Sequence, residues 1–373
     1  MSDKGMGRRT AVEITFEGVD ITASILQYFK SMTYTDSEED EADDLQIVLQ
    51  DRDGIWMEKW LNDAVEAAAG AGLNIAARIV RKNWNTDGRD MALDCGTFTL
   101  DRVDCEGPSA EITIKATALP FDAPIRQTKK NRGFENYSLS GIAAEMAAKS
   151  GMECSFLCSS DPFYERVEQY QTSDIAFLRK LCHDAGISLK ATSKMLVLFD
   201  QKDYEAKTPS LTIRKNNGRL LPAPPEAYGA YGRSGDCETY SSYRLSVGTA
   251  DAQYQSCRVS YNDPKTGKCI EGVAKIPDYK EDDSNQQLEV KAKVGSAAEA
   301  KKLAEKHLRL HNKFCRTAEF TMPGSPAVAA GVTVALKGWG GWDGTYIVKQ
   351  AEHTVGEDGY NTSLSLRRVL EGY

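Results

Sequence analysis

Residues 169–189, QYQTSDIAFLRKLCHDAGISL, carry the start and stop signals of one short helix between two strands. Ser173 is placed to cap a helix that begins at Asp174, where the positive end of the helix dipole favours a carboxylate. The apolar side chains fall on one helical stripe, at Ile175, Leu178, Leu181, Cys182 and Ala185. Gly186 then stops the helix, and the next residues, ISLKATSKMLVLFD, have the pattern of a β-hairpin. The stretch therefore predicts a β-α-β element.

Length and charge limit the class of protein. A chain of 373 residues is too long for one ordinary core, so roughly two to three domains are expected. The net charge of −8 argues against a nucleic-acid-binding protein, which needs basic surface to neutralise phosphates. The basic stretch RQTKKNR, at 126–132, is accordingly interpreted as a solvated loop. No apolar signal segment or membrane-spanning stretch is visible, so a protein made without a signal peptide and kept in the cytosol is expected.

The cysteines give no sign of a disulfide framework. There are nine of them, an odd number, scattered along the chain without a C-x-x-C pair. This pattern predicts reduced thiols that are mostly buried.

Alternating apolar and polar residues predict a first β domain over residues 8–124. The period of two is clear in AVEITF, at 11–16, and in DLQIVLQ, at 44–50. The acidic run SEEDEADD, at 37–44, lies between two predicted strands. Like charges in sequence are usually solvated, so we expect this run to be an exposed loop or turn, with a partner-binding surface as the alternative.

Helical spacing then replaces the alternation. The segment LSGIAAEMAAKSG, at 139–151, predicts a helix that ends at a glycine. With the β-α-β element it forms a predicted α+β module over residues 125–205. The Pro- and Gly-dense residues 206–236 are predicted to be a connector.

A second β domain is predicted over residues 237–373. It contains one helix, at 296–314, with Ser296 and Glu299 spaced as a capping box. The predicted fold class is therefore α+β, mainly β, with two β-barrel or sandwich-like domains flanking a small α+β module.

Two groups of motifs carry a resemblance to a known family. The residues of the first group are Gln171, Ser173, Asp174, Phe177, Leu178, Leu181 and Gly186. The second group runs from a P-G-x-P turn to a pair of arginines, at Pro323, Gly324, Pro326, Gly331, Gly344, Tyr346, Val348, His353, Arg367 and Arg368. In this order, and together with a G-x-D-I-T turn at 18–22 and a D-x-x-D-G-like segment at 51–54, the motifs resemble the phage late control protein D family across nearly the whole chain. That family includes the baseplate hub proteins of contractile phage tails and the N-terminal part of type VI secretion spike proteins.

The resemblance implies a structural protein rather than an enzyme. It implies a homotrimer whose paired β domains form a ring of six, which joins a sixfold tail tube to a threefold spike and nucleates tube assembly. The implied partners are the tail tube protein, the central spike protein and the baseplate wedge proteins. Specific nucleic-acid binding and stable membrane insertion are not expected. The implied location is the bacterial cytoplasm during assembly and then the tip of a phage tail, a tailocin or a related injection system.

Side chains that could carry chemistry are few, and no catalytic, cofactor-binding or metal residues are expected. His307 and His311 have metal-ligand spacing but are interpreted as exposed helix residues. Cys154, Cys158 and His183 are too irregularly spaced to predict a metal cluster. His353 is expected to have a packing or hydrogen-bonding role.

Two alternatives remain, a tail-associated cell-wall hydrolase and a carbohydrate-binding tail protein. No nucleophile, P-loop or dinucleotide motif supports an enzyme. Trp339 and Trp342, in GWGGWDG at 338–344, are the residues that suggest sugar binding. A hairpin tip that packs against a neighbouring subunit is the interpretation favoured for them.

Overall fold

A computed structural model describes most of the chain. The described residues are 7–39, 42–56, 73–84, 90–108, 110–118, 124–192, 194–215, 237–238, 240–248, 253–264, 267–282 and 285–372. Residues 216–236 of the predicted connector lie outside them. The fold is mainly β with few helices, which confirms the predicted class. No helix in the described part of the chain is long and apolar enough to cross a bilayer.

The first block is an antiparallel sheet with the strand order β3-β4-β7-β6-β5-β1-β2. Its elements are β1 (Arg9–Phe16), β2 (Val19–Asp20), α1 (Thr22–Ile25), β3 (Phe29–Ser37), β4 (Asp44–Gln50), β5 (Asn74–Lys82), β6 (Met91–Glu106) and β7 (Glu111–Thr117). Alternate residues point to the two faces, so one face supplies a buried apolar core. In β7, for example, Ile112, Ile114 and Ala116 are buried.

The α+β module follows. Its elements are α2 (Pro124–Gln127), β8 (Lys130–Ser138), α3 (Leu139–Lys149), β9 (Glu153–Leu157), β10 (Phe163–Thr172), α4 (Asp174–Asp184), β11 (Ser188–Ala191), β12 (Met195–Phe199) and α5 (Gln201–Glu205). Strands β8 and β10 form an antiparallel ribbon, whereas β12 pairs with β11 antiparallel and with β9 parallel. The predicted helix and β-hairpin of this region are both present. The stacked rings of Phe134 and Phe177, 5.9 Å apart, lie in its own core.

The last block contains a long branched sheet and a small satellite unit. Its elements are β13 (Leu211–Arg214), β14 (Cys237–Glu238), β15 (Ser242–Val247), β16 (Ser256–Asn262), β17 (Cys269–Lys275), β18 (Gln287–Lys291), α6 (Ala297–Asn312), β19 (Arg316–Pro323), β20 (Thr333–Lys337), β21 (Gly344–Gly356) and β22 (Gly359–Arg368). Strands β16–β18 pack against α6 around a separate core. Strand β13, inside the predicted connector, pairs with β20 and so joins the long sheet.

The two β blocks share one sheet. Strand β21 pairs with β3 in register from Gln350 opposite Ser37 to Val355 opposite Met32. The tip of the β21–β22 hairpin also enters the first core, through Val355 and Tyr360. Main-chain hydrogen bonds and apolar packing therefore hold the two blocks together.

Candidate functional site

The described residues of the acidic run, 37–39 and 42–44, are mostly buried or half-buried, so the predicted exposed loop is wrong for them. Strand β3 continues to Ser37, and the side chains of Ser37, Glu38 and Asp43 are almost completely buried. Burial of a carboxylate is costly unless a cation and hydrogen-bond donors compensate it. Those partners come from residues about 150 to 330 positions further along the chain, so the local charge pattern could not indicate them.

Arg367 is the centre of this buried site, and its side chain is fully enclosed. Its Nε and Nη2 atoms donate to the two carboxylate oxygens of Glu38, at 2.9 and 2.6 Å. Its Nη1 donates to Glu205 at 2.6 Å, and its Nη2 also donates to Gln201. Burial alone would lower the pKa of Arg367, but the bonds and attraction from Glu38 and Glu205 raise it above its usual value. The guanidinium therefore stays charged and ties β22 to β3 and α5.

Two basic side chains, Arg309 of α6 and Lys313 just after it, extend the cluster. Arg309 donates to the carboxylate of Glu205 and, at 3.2 Å, to the carbonyl of Leu370. Lys313 donates to Glu39, and both side chains are buried. Helix α6 is thereby attached to the acidic run and to α5.

Lys190 completes the cluster from the α+β module. Its ammonium group lies 2.7 Å from Asp36 and 3.7 Å from Asp43. Asp36 also accepts the backbone N–H of Ala330 at 2.8 Å, and Asp43 accepts that of Ser37 at 3.0 Å. We call the whole set the ionic junction, and its side chains are Asp36, Glu38, Glu39, Asp43, Lys190, Gln201, Glu205, Arg309, Lys313 and Arg367.

His353 lies beside the ionic junction and has no exposed surface. Its Nε2 is 3.0 Å from the carbonyl of Val328, so that nitrogen carries the proton and donates it. Its Nδ1 then accepts from the hydroxyl groups of Tyr360, at 2.8 Å, and Thr362, at 3.2 Å. The expected packing and hydrogen-bonding role agrees with this arrangement. Burial lowers the pKa of His353 to about 4, so the ring is neutral at physiological pH.

Asp43 and His353 are expected to give opposite pH dependences of stability. Burial, reinforced by Asp36 and opposed by Lys190, raises the pKa of Asp43 from 3.8 to about 6. The native state then binds a proton that the unfolded state has lost, so Asp43 makes stability fall as the pH rises from about 4 to 6. His353 is protonated in the unfolded state but not in the native state between about 4 and 6.5, so it makes stability rise over that range.

Chemical unfolding at several pH values between 4 and 6.5 tests both signs. The change Asp43→Asn should make the slope of unfolding free energy against pH more positive, by up to about 1.4 kcal/mol per pH unit. The change His353→Gln should make that slope more negative by a similar amount. A slope that either variant leaves unchanged, or that both shift in one direction, would contradict these protonation states.

The first group of family-motif residues begins and ends α4 and packs it into the core of the α+β module. The Ser173 hydroxyl accepts the backbone N–H of Ala176 at 3.4 Å, as the predicted cap requires. Gly186 has φ of +65° and leaves no room for a Cβ, which would lie 2.6 Å from the Cβ of Lys306. Phe177, Leu178 and Leu181 are buried in the core of the module.

Asp174 is fully buried, and its carboxylate has partners other than the N-terminus of α4. It lies 2.5 Å from the ammonium of Lys130 and accepts a 2.9 Å hydrogen bond from Gln169. Arg132 similarly pairs with Glu145 of α3. The basic stretch at 126–132 is therefore only partly solvated, because Lys130 and Arg132 pair with carboxylates of the two helices whereas Lys129 is exposed. Gln171 remains exposed, with φ of +48°, and its backbone N–H donates to Asn131 at 2.9 Å.

The second group of motif residues lies along β21, which carries His353, and in the strands and turns beside it. Pro323 ends β19, and Gly324 follows it against the ring of Tyr360. Gly331 faces Tyr204 of α5, and Gly344 begins β21 beside Arg368. Tyr346 is fully buried, and its hydroxyl donates to the carbonyl of Trp342 at 3.0 Å. The structure thus brings this group together around one strand, whereas the first group lies in the module.

Two interpretations of single residues change. His307 is buried rather than exposed, because the turn at Gly186 brings the end of α4 onto α6. Trp339 packs inside the chain against Tyr243 and Phe320, and its indole N–H donates to the carbonyl of Ile213 at 3.2 Å. It is therefore not available at a hairpin tip for sugar or for a neighbouring subunit.

The cysteines are reduced thiols wherever their side chains are described. Cys95, Cys182, Cys257 and Cys315 are buried, whereas Cys105 and Cys269 are exposed. The prediction of reduced thiols agrees with the described cysteines. Fewer of them are buried than expected.

A row of polar side chains crosses both β blocks on the face of the shared sheet that is opposite to the apolar cores. One row of directly paired residues runs across nine neighbouring strands, and every residue in it is polar. The residues are Ser242 (β15), Thr321 (β19), Ser363 (β22), Glu352 (β21), Thr35 (β3), Asp44 (β4), Thr117 (β7), Thr99 (β6) and Asn74 (β5), of which Thr117 is buried. Near β15 this face forms a groove of about 440 Å³. We call this surface the polar face.

Known proteins share both the sequence pattern and the fold. The model of the family described as phage tail baseplate hub (GPD) matches residues 99–359. The probable baseplate hub protein of Escherichia phage P2 is 29% identical over 206 residues, which are 53% of this chain and 48% of that protein. The equivalent protein of Escherichia phage 186 is 26% identical over 223 residues, 58% of this chain and 52% of that protein. The chain thus spans about half the length of the curated relatives it matches.

Solved structures extend the fold similarity to almost the whole chain. A tail protein from Neisseria meningitidis MC58 superposes with a TM-score of 0.66 at 13% identity, covering 96% of this chain and 97% of the other. The prophage MuSo2 tail protein from Shewanella oneidensis gives 0.63 at 12% identity, with the same coverage. An E. coli component of the type VI secretion system gives 0.52 at 11% identity, over 96% of this chain and 78% of the other. Because the family model matches most of its length, the chain belongs to the phage tail baseplate hub (GPD) family.

Proposed function

We propose that this chain is the trimeric adaptor of a contractile tail-like particle, which joins a sixfold tail tube to a threefold spike and nucleates the tube. The observation that carries the proposal is the sheet shared by two β blocks in one chain. Three copies of a two-block subunit present six blocks around one axis. A ring with threefold symmetry can then offer an approximately sixfold surface.

The ends of the sheet suit a ring of copies. In the described part of the chain the branched sheet ends at β15 and β14 on one side and at β1 and β2 on the other. Edge strands present main-chain donors and acceptors that can pair with another chain. We propose that these opposite edges lie at the contacts between neighbouring copies.

The polar face suits the wall of a channel. It crosses both blocks, carries hydroxyl, amide and carboxylate groups, and leaves large apolar side chains such as Phe320 and Leu364 on the buried side. A wall of this kind stays hydrated, and the net charge of −8 disfavours retention of a passing polyanion. We therefore propose that the polar face lines the lumen.

The ionic junction suits a rigid joint between the parts of the subunit. Arg367 and Lys190 connect the acidic run to the α+β module and to the last strand through charges that are held away from water. If the acidic run moved away from the α+β module or from β22, charged side chains of the ionic junction would lose their partners while still partly buried. Such a loss is costly, so other angles between these parts of the subunit are disfavoured. A fixed angle between blocks is what a closed ring needs.

The partners and location follow from this role. We propose the tail tube protein, the central spike protein and the baseplate wedge proteins as partners, with assembly in the bacterial cytoplasm and a final position at the tail tip. The particle is a phage tail, a tailocin or a related injection system. The role proposed for the chain is structural and includes no enzymatic step.

Electron cryomicroscopy of the assembled particle tests the role. We expect three copies of the chain between the first tube ring and the spike, with six β blocks around the channel and the polar face towards it. Six copies per ring, or a position away from the tube axis, would contradict the proposal.

A further inference from the structure

Three of the four histidines of the chain meet where the end of α4 rests on α6. The ring of His183 lies 6.1 Å from that of His307 and 6.1 Å from that of His311, measured between centroids. His307 and His311 are four residues apart on α6, the spacing that places two ligands on one helix face. The hub role proposed above uses none of these side chains.

His307 has the environment of a metal ligand. Its side chain is almost completely buried, and its Nε2 lies 3.1 Å from the backbone carbonyl of Asp184. The N–H therefore points at that carbonyl, and Nδ1 is left with a lone pair that is buried and has no hydrogen-bond partner. Buried polar atoms are normally satisfied, so this one asks for an explanation. Histidine ligands usually donate their second ring nitrogen to a carbonyl or carboxylate, as His307 does.

We propose that His307, through Nδ1, together with His311 and His183 binds a divalent transition metal of the Zn²⁺ class and so staples α4 to α6. Imidazole nitrogen is a preferred ligand of this class. As the side chains stand, no three His, Cys, Asp or Glu residues among those described already surround one point. His183, whose side chain is 59% exposed, must therefore rotate onto a metal held by the α6 pair. Water or the nearby carboxylate of Asp184 completes the coordination.

Calorimetric titration of the untagged full chain with Zn²⁺, after chelator treatment, tests the site. We expect one Zn²⁺ per chain and a higher melting temperature with Zn²⁺, because the metal binds the native arrangement. His311→Ala and His183→Ala should each weaken binding by about tenfold or more, the scale at which lost metal-site partners act. Both side chains are on the solvent side, so these variants should fold. Lys302→Ala, an exposed change on the same helix, serves as the matched control and should bind as the unmodified chain does.

Each other outcome overturns the proposal. An absence of Zn²⁺ binding to the folded, unmodified chain would show that the cluster is not a metal site. Binding that survives both histidine changes would place the metal elsewhere, for example on the exposed thiols of Cys105 and Cys269. Neither result would affect the hub role, which electron cryomicroscopy tests separately.

Discussion

Arg367→Met should lower the free energy of unfolding by about 3–5 kcal/mol, the usual cost of removing one partner from a buried ion pair. Methionine fills much of the volume of arginine but cannot donate to Glu38, Glu205 or Gln201. The two carboxylates would then be buried with less compensation. Urea unfolding at neutral pH measures the loss.

The adjacent residue provides the control for Arg367. Arg368 is partly exposed and donates to the carbonyl of Gly341 at 3.1 Å, so Arg368→Met should cost at most about 1 kcal/mol. The double variant Arg367→Met, Glu38→Gln should lose less than the sum of the two single losses, by about 0.5–3 kcal/mol, because the two residues contact each other. Equal losses at Arg367 and Arg368, or strict additivity of the pair, would contradict the ionic junction.

Gly324→Ala should lower the free energy of unfolding by about 3 kcal/mol, the upper end of the usual cost of overpacking. The added Cβ would lie 2.0 Å from Cγ of Tyr360, so the ring would have to move. That ring is held by its hydroxyl bond to His353, and Gly324 itself donates to the Tyr360 carbonyl at 2.7 Å and accepts from Arg81 at 2.8 Å. Movement would therefore disturb both β blocks at once.

A glycine-to-alanine change at an uncrowded position is the control, because it shows the effect of alanine without the clash. Gly133, in strand β8, has no atom within 4 Å of its Cβ position, so Gly133→Ala should change stability by about 0.5 kcal/mol or less. Thermal unfolding of both variants side by side is sufficient. If Gly324→Ala were as mild as Gly133→Ala, the close packing of Tyr360 would be wrong.

Local signals predicted the helices well, because their caps lie within a few residues of the helix they begin. Ser173 and Ser296 both accept a backbone N–H three residues ahead, as the sequence indicates. The one deviation is small, since Glu299 accepts from Gly295 rather than from Ser296. The alternating pattern likewise predicted the strands of the first block.

The sequence could not reveal contacts between distant segments. The acidic run has the composition of a solvated loop, and only the pairing of β3 with β21 shows that Arg367 reaches it. His307 is similar, because its burial depends on how α4 meets α6. Charge and periodicity describe neighbours along the chain, whereas these sites are made by residues more than 100 positions apart.

The mass of the purified chain in solution, measured by light scattering with and without the spike protein, tests the adaptor role most directly. We expect three copies of the chain in the assembly, because six β blocks are needed around the channel. A mass of one copy under both conditions would contradict the proposed ring.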